Sequence, residues 1–168
     1  MRIPSRAQVD AFCGSPTTRY QRIAGILAPL ILLGSIVYIL IVWRTLPEQI
    51  PTHYNAAGQI DGYGGRGSLL LMPIIGLITD LVTALTARFP QSWNTGVRVT
   101  VLNRVRVYRL LRDLIAELRL TMALFFGAYA IYHASLPEHF SGLVVIGAML
   151  LILAPLLRYF IRLARKPS

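Results

Sequence analysis

Charge is scarce in this chain. Only 14% of its 168 residues are Asp, Glu, Lys or Arg, against roughly a quarter in an ordinary soluble domain. With 55% hydrophobic residues and a mean hydropathy of +0.57, the composition excludes a soluble globular protein. Cysteine is almost absent: Cys13 stands alone, so no intrachain disulfide forms. Cys13 follows no apolar run, which leaves no basis for a lipoprotein anchor. Acidic residues are few, seven against seventeen basic ones, for a net charge of +10. On a soluble protein that balance would suggest nucleic acid. Here the cations cluster beside apolar runs, so they record membrane orientation and no nucleic acid is expected.

The apolar runs come next. Ile23 to Trp43 carries no charged residue, close to the ~20 residues a helix needs to cross a ~30 Å hydrocarbon core. Three further spans follow at about 69–87, 120–136 and 142–157. In lipid each must satisfy its own backbone, so all four are expected to be helices. The first is long for a signal sequence and lacks a clear small-residue cleavage site, so it reads as a retained anchor. Trp43, Tyr132 and Tyr159 fall near span ends, where amphipathic rings favour the interface. Pro29 and Pro155 each remove a helical hydrogen bond and are expected to bend their helices.

Fifteen of the seventeen basic residues lie in the N-terminal arm (1–22), the segment 88–119 and the C-terminal tail, Arg2 and Lys166 among them. Arg44 and Arg66 alone fall on the other side. The expectation is an all-α integral membrane protein, an up-down bundle of four transmembrane helices with both termini in the cytoplasm. The loop 44–68 and the turn Pro137-Glu138-His139-Phe140-Ser141 are then external. Within 88–119, Val97, Val99 and Val101 alternate in strand-like fashion. Leu102, Val105, Tyr108, Leu111, Ile115 and Leu118 then recur at helical spacing among arginines. This predicts a basic amphipathic helix, lying on the inner membrane surface or running unbroken into the third span. Arg109 and Asp113 are spaced for an i, i+4 ion pair. Anionic lipid at the cytoplasmic face is the expected partner of these arginines.

Asp80 is the carboxylate well inside a span. A charge there costs at least ~2.5–3.5 kcal/mol. One reading is a proton or cation site. The other is a protonated or hydrogen-bonded carboxyl facing Thr79, Thr83 or Thr121, which the lack of further ionisable groups favours. That second reading expects Asp80→Asn to assemble normally. The third span carries Ala123, Gly127, Ala130 and Ala134, a small-residue stripe that permits close helix packing.

The loop between the first two spans holds the most information. Ile50 to Tyr54 and Gln59 to Tyr63 are expected to pair as a short hairpin around Asn55-Ala56-Ala57-Gly58, with Gly58 at positive φ. Gly62, Gly64, Gly65 and Gly67 then suit tight turns before the second span. His53 and Asp61 are expected to hydrogen-bond within the loop, or Asp61 to pair with Arg66. A metal held by His53, Asp61 and His139 would need tighter ligand spacing than is present, so no metal or cofactor is expected. A catalytic His53 oriented by Asp61 lacks an evident nucleophile, so no enzymatic activity is expected.

The run LPEQIPTHYNAAGQIDGYGGRGSLLLMPII resembles a bacterial membrane family, the domain of unknown function 1648 at the front of SdpI-like immunity proteins. The matching positions are Leu46, Pro47, Ile50, Pro51, His53, Gly58, Asp61 and Arg66, with Asn55 in the same loop. The resemblance is clear over about 23–87 and weaker to about 118. The C-terminal Asn/Gly/Arg/Trp motif of the longer proteins is not present. The resemblance implies a sensor or immunity-type protein of the bacterial inner membrane whose external loop recognises an envelope peptide. The missing C-terminal motif and small size also suit an accessory subunit of a larger membrane complex.

Overall fold

The computed structural model describes residues 3–139 and 141–165. Arg2, Phe140 and Lys166, used in the orientation argument above, lie outside the described residues. The order of elements is α1 (Arg6–Cys13), α2 (Arg19–Val42), β1 (Gln49–Tyr54), β2 (Ile60–Gly65), a 3-10 segment Arg66–Leu70, α3 (Leu71–Thr86), a 3-10 turn Pro90–Ser92, α4 (Arg104–Ala134) and α5 (Gly142–Ala164). Four stretches are long and apolar enough to cross a membrane: Arg19–Val42, Arg66–Thr86, Arg104–Ala134 and Gly142–Ala164.

Local chemistry sets the starts of the first two helices. Ser5 accepts from the Gln8 backbone while the Gln8 side chain accepts from Ser5 N, a reciprocal capping box that opens α1. Thr18 and Gln21 repeat the device at α2. Gly14 ends α1 at φ 71°, the left-handed position that glycine adopts without strain.

Helix α2 packs along α4, and α3 fills the angle between them. Ala28 and Leu32 of α2 meet Ala123 and Phe126 of α4 at the centre. Ala123, Gly127, Ala130 and Ala134 of the small-residue stripe are all buried. A Cβ on Gly127 would stand 3.1 Å from Ile31 Cγ2, so the close approach is to α2. Gly76 of α3 is tighter still, with Leu32 Cδ2 at 2.6 Å from where its Cβ would be. Helix α5 rests on α4, with Tyr159 packed against Val107 and Leu111. Both α2 and α5 continue through their prolines, Pro29 and Pro155.

Helix α4 takes the second course expected for the basic segment, running unbroken into the third apolar stretch. It is one helix of 31 residues, about 46 Å at 1.5 Å per residue, longer than a bilayer core by about 15 Å. Its first four turns are packed against other helices. They carry Tyr108 against Val9 and Cys13 of α1, and Val107 and Leu111 against α5. The N-terminal arm is thus docked, with Cys13 fully buried. Val97 to Val101 form no strand, because no partner strand lies beside them. Leu102 is 98% exposed and does not join the apolar stripe.

Candidate functional site

Two constellations stand out, one at each end of the bundle. At the hairpin end, β1 and β2 pair antiparallel, Gln49 with Gly65 through Tyr54 with Ile60. The turn is built by Asn55. Its side-chain oxygen accepts from Ala57 N at 2.9 Å and Gln59 N at 3.0 Å. Gly58 N donates to Asn55 O at 2.8 Å, and Gly58 sits at φ 76° as expected. The register slips on both sides of His53, so β1 is bulged there. Gly62, Gly64 and Gly65 are strand residues and Gly67 lies in the 3-10 segment, contrary to the expectation of turns. A Cβ on Gly62 would lie 2.9 Å from His53 Cβ, and one on Gly64 2.9 Å from Thr52 Cγ2. Side chains of β1 lean across β2 where glycine leaves room.

The hairpin is fixed to the bundle. Leu46 and Ile50 are buried among Ile39, Leu69, Ala130 and Ala134. This is the physical use of the Leu46-Pro47 and Ile50-Pro51 pairs: each sets an apolar side chain before a proline that holds the backbone extended. Tyr54 Oη donates to Pro137 O at 2.8 Å, and Gln59 forms a backbone bridge with His139. Arg66 does not pair with Asp61. Its guanidinium lies over Trp43, 5.2 Å from the ring centroid, and Nη1 donates to Trp43 O and Leu46 O at 3.3 and 3.4 Å. It thereby closes the C-terminal end of α2.

Asp61 faces His53 instead, Oδ1 to Nδ1 at 2.5 Å. The His53 side chain is 73% exposed, so its Nε2 edge is open to solvent. Tyr63 stands 64% exposed on the same hairpin. Beneath β1 lies a hollow of about 120 Å³ lined by Thr52, Ser68, Met72, Tyr129 and His133, among others. It has room for a small side chain or a few waters. Burial pushes the Tyr54 hydroxyl above its ordinary range, so it stays a donor. Among the described residues no three His, Cys, Asp or Glu side chains converge as metal ligands.

At the other end, Asp80 does not bond Thr79, Thr83 or Thr121. Those hydroxyls donate to carbonyls of their own helices, Ile75 O, Thr79 O and Leu118 O. Asp80 takes a two-pronged ion pair from Arg119, Nε to Oδ1 at 2.7 Å and Nη2 to Oδ2 at 2.9 Å. Arg119 Nη2 also donates to Gly25 O at 3.3 Å. That carbonyl is free because residue 29, its helical donor, is proline. One guanidinium thus neutralises α3 and completes α2 from a position on α4.

Further arginines of α4 act alike. Arg112 donates to Ser15 O at 2.9 Å and to Asp10 at 2.5 Å, and also bonds Thr17. Burial raises the Asp10 carboxyl, but hydrogen bonds from Arg112 and Thr17 outweigh it and hold the group below its ordinary value. Arg104 bonds Phe12 O at the end of α1, and Arg106 bonds Arg162 O and Arg165 O at the end of α5. These are carbonyls at helix C-termini, where a cation is favourable. Glu117 pairs with Arg158 of α5. Asp113 takes Gln21 at 2.7 Å and Arg162 at 3.9 Å, not Arg109.

Sequence reasoning missed Arg119, Arg112, Glu117 and both capping boxes. The boxes were legible as Ser-x-x-Gln and Thr-x-x-Gln ahead of apolar runs. Pro29 was a signal too, since it frees a carbonyl that something must satisfy.

Comparison with known proteins bears on the hairpin end. A family model described as a domain of unknown function (DUF1648) matches residues 30–77, from the middle of α2 through the hairpin into α3. An uncharacterized protein of Archaeoglobus fulgidus is 32% identical over 143 aligned residues, covering 76% of this chain and 78% of the relative. No solved structure matches the chain. Neither match carries a functional name, so the likeness to SdpI-like immunity proteins adds nothing established about activity. On these matches, the chain belongs to the family defined by the DUF1648 domain.

Proposed function

We propose that this is a non-enzymatic, multi-pass protein of the cytoplasmic membrane whose hairpin faces outward and recognises an envelope ligand, a peptide being the best fit. The orientation rests on the arginine asymmetry. The observation that carries recognition is the anchored hairpin: Leu46 and Ile50 fix it, His53 and Tyr63 stay exposed on it, and a hollow of about 120 Å³ lies beneath β1. A rigid scaffold with exposed polar and aromatic groups suits binding. A sensor or immunity role of the SdpI-like kind follows from that reading.

The test is in-cell photocrosslinking from a photoreactive residue placed at Tyr63. The expected result is one discrete adduct that disappears when Thr52→Trp fills the hollow. No adduct from the hairpin would remove the support for recognition.

A second reading has its own observation. Helix α5 meets the bundle along one side and leaves Leu143, Met149, Leu150, Leu157 and Phe160 exposed. An accessory subunit would use that face against a larger membrane complex. A photoreactive residue at Leu150 would then give the discrete adduct instead.

A further inference from the structure

A cavity of about 400 Å³ opens at the arginine-rich end, between α1, α2, the end of α3 and α4. Five arginines line it, namely Arg6, Arg22, Arg88, Arg112 and Arg119, and no carboxylate does. Arg112 and Arg119 are matched by Asp10 and Asp80. Among the described residues, Arg6, Arg22 and Arg88 have no ion-pair partner. The cavity therefore holds an excess of positive charge with two guanidiniums already immobilised. Planar guanidiniums in such a set suit a phosphate, which accepts from several at once.

Apart from Thr17 and Gln21, the rest of the wall is mostly apolar. Ile26, Ala84 and Ile115 line it. Ile26 is 61% exposed on a helix apolar enough to cross a membrane. A cationic recess that continues onto an apolar helix surface fits an amphiphile, head in the recess and chain along α2. We propose that this cavity is a binding site for a phosphate-bearing anion, supplied by the headgroup of an anionic phospholipid. The inference is independent of what the hairpin binds. It also differs from general attraction of lipid to basic residues, because it assigns particular arginines.

The experiment uses the full chain purified in a neutral detergent, followed by native mass spectrometry. The probes are cardiolipin, phosphatidylcholine and inorganic phosphate. The variant Arg22→Gln/Arg88→Gln removes two unpaired arginines, and Arg6→Gln provides a second test on the exposed face of α1. Arg109→Gln makes a single charge change outside the cavity. Monodispersity and tryptophan fluorescence confirm that each variant is folded. Cardiolipin is expected to be retained over phosphatidylcholine, with retention falling roughly thirtyfold in the double variant. Arg6→Gln should weaken it in part, and Arg109→Gln should leave it unchanged. Displacement of cardiolipin by millimolar inorganic phosphate would keep the phosphate site but overturn the lipid as its source. Equal loss in Arg109→Gln, or no preference for cardiolipin, would overturn the site.

Discussion

Arg119 has a role that few residues elsewhere in the chain share. It neutralises Asp80, completes the backbone that Pro29 interrupts, and so ties α2, α3 and α4 together. A buried pair need not add net stability, but breaking one strands a charge. Asp80→Asn is therefore expected to lower stability by ~3–5 kcal/mol. This reverses the expectation from sequence that the variant assembles normally. Thermal unfolding in detergent is the measurement. Adding Arg119→Gln should restore a large part of the loss, because the stranded charge goes too. An Asp80→Asn protein that melts with the wild type would refute the ion pair. At the hairpin, Gly58→Val should cost ~1–2 kcal/mol through its left-handed backbone. Gly62→Val should distort the hairpin as well, by driving a side chain into His53. His53→Gln and Asp61→Asn keep the polar shape and should leave the hairpin folded. Proteolysis at the turn distinguishes the two pairs: the glycine variants are cut faster and the polar variants are not.

At the scale of elements, the arm α1 is held by Asp10 and Arg112 and by the burial of Cys13. Because the folded Asp10 carboxyl lies below its ordinary value of 3.8, its contribution is complete above that value and is lost as pH falls through the lower, folded one. Arm docking should thus be insensitive to pH near neutrality and fail only in strong acid. Asp10→Asn mimics that loss at neutral pH. Burial raises the Cys13 thiol and shields it, so it should react slowly with maleimide even in opened membranes, and faster in Asp10→Asn. At the crossing of α2, α3 and α4, Gly76→Val should destabilise the bundle more than Gly127→Ala, since its neighbours stand closer. The four spans, the small-residue stripe and the hairpin turn were legible in the sequence because each rests on local pattern: apolar length, helical spacing, one asparagine and one glycine. For α4 the sequence left two courses open. Its basic amphipathic turns satisfy the pattern of a surface helix and of a docked helix equally, and the choice depends on α1 and α5, which are distant in sequence. The partners of Asp80 and Asp113 were missed for the same reason, being 39 and 92 residues away.

For the whole molecule, the arginines that mark one end also build it, closing helix ends and pairing with four carboxylates, Asp10, Asp80, Asp113 and Glu117. The hairpin end carries Arg44 and Arg66, of which Arg66 is spent on closing α2. The central claim is that this division follows the membrane, with the hairpin outside and the arginine-rich end within. Native Cys13 is a poor reporter because its burial alone would prevent labelling. The direct measurement replaces it with serine and introduces one exposed cysteine at a time, Ala57→Cys at the hairpin turn and Gln91→Cys beside α3. A membrane-impermeant maleimide applied to intact cells should label Ala57→Cys and spare Gln91→Cys until the membrane is opened. Labelling of Gln91→Cys in intact cells, with Ala57→Cys protected, would contradict the orientation and the outward-facing hairpin with it.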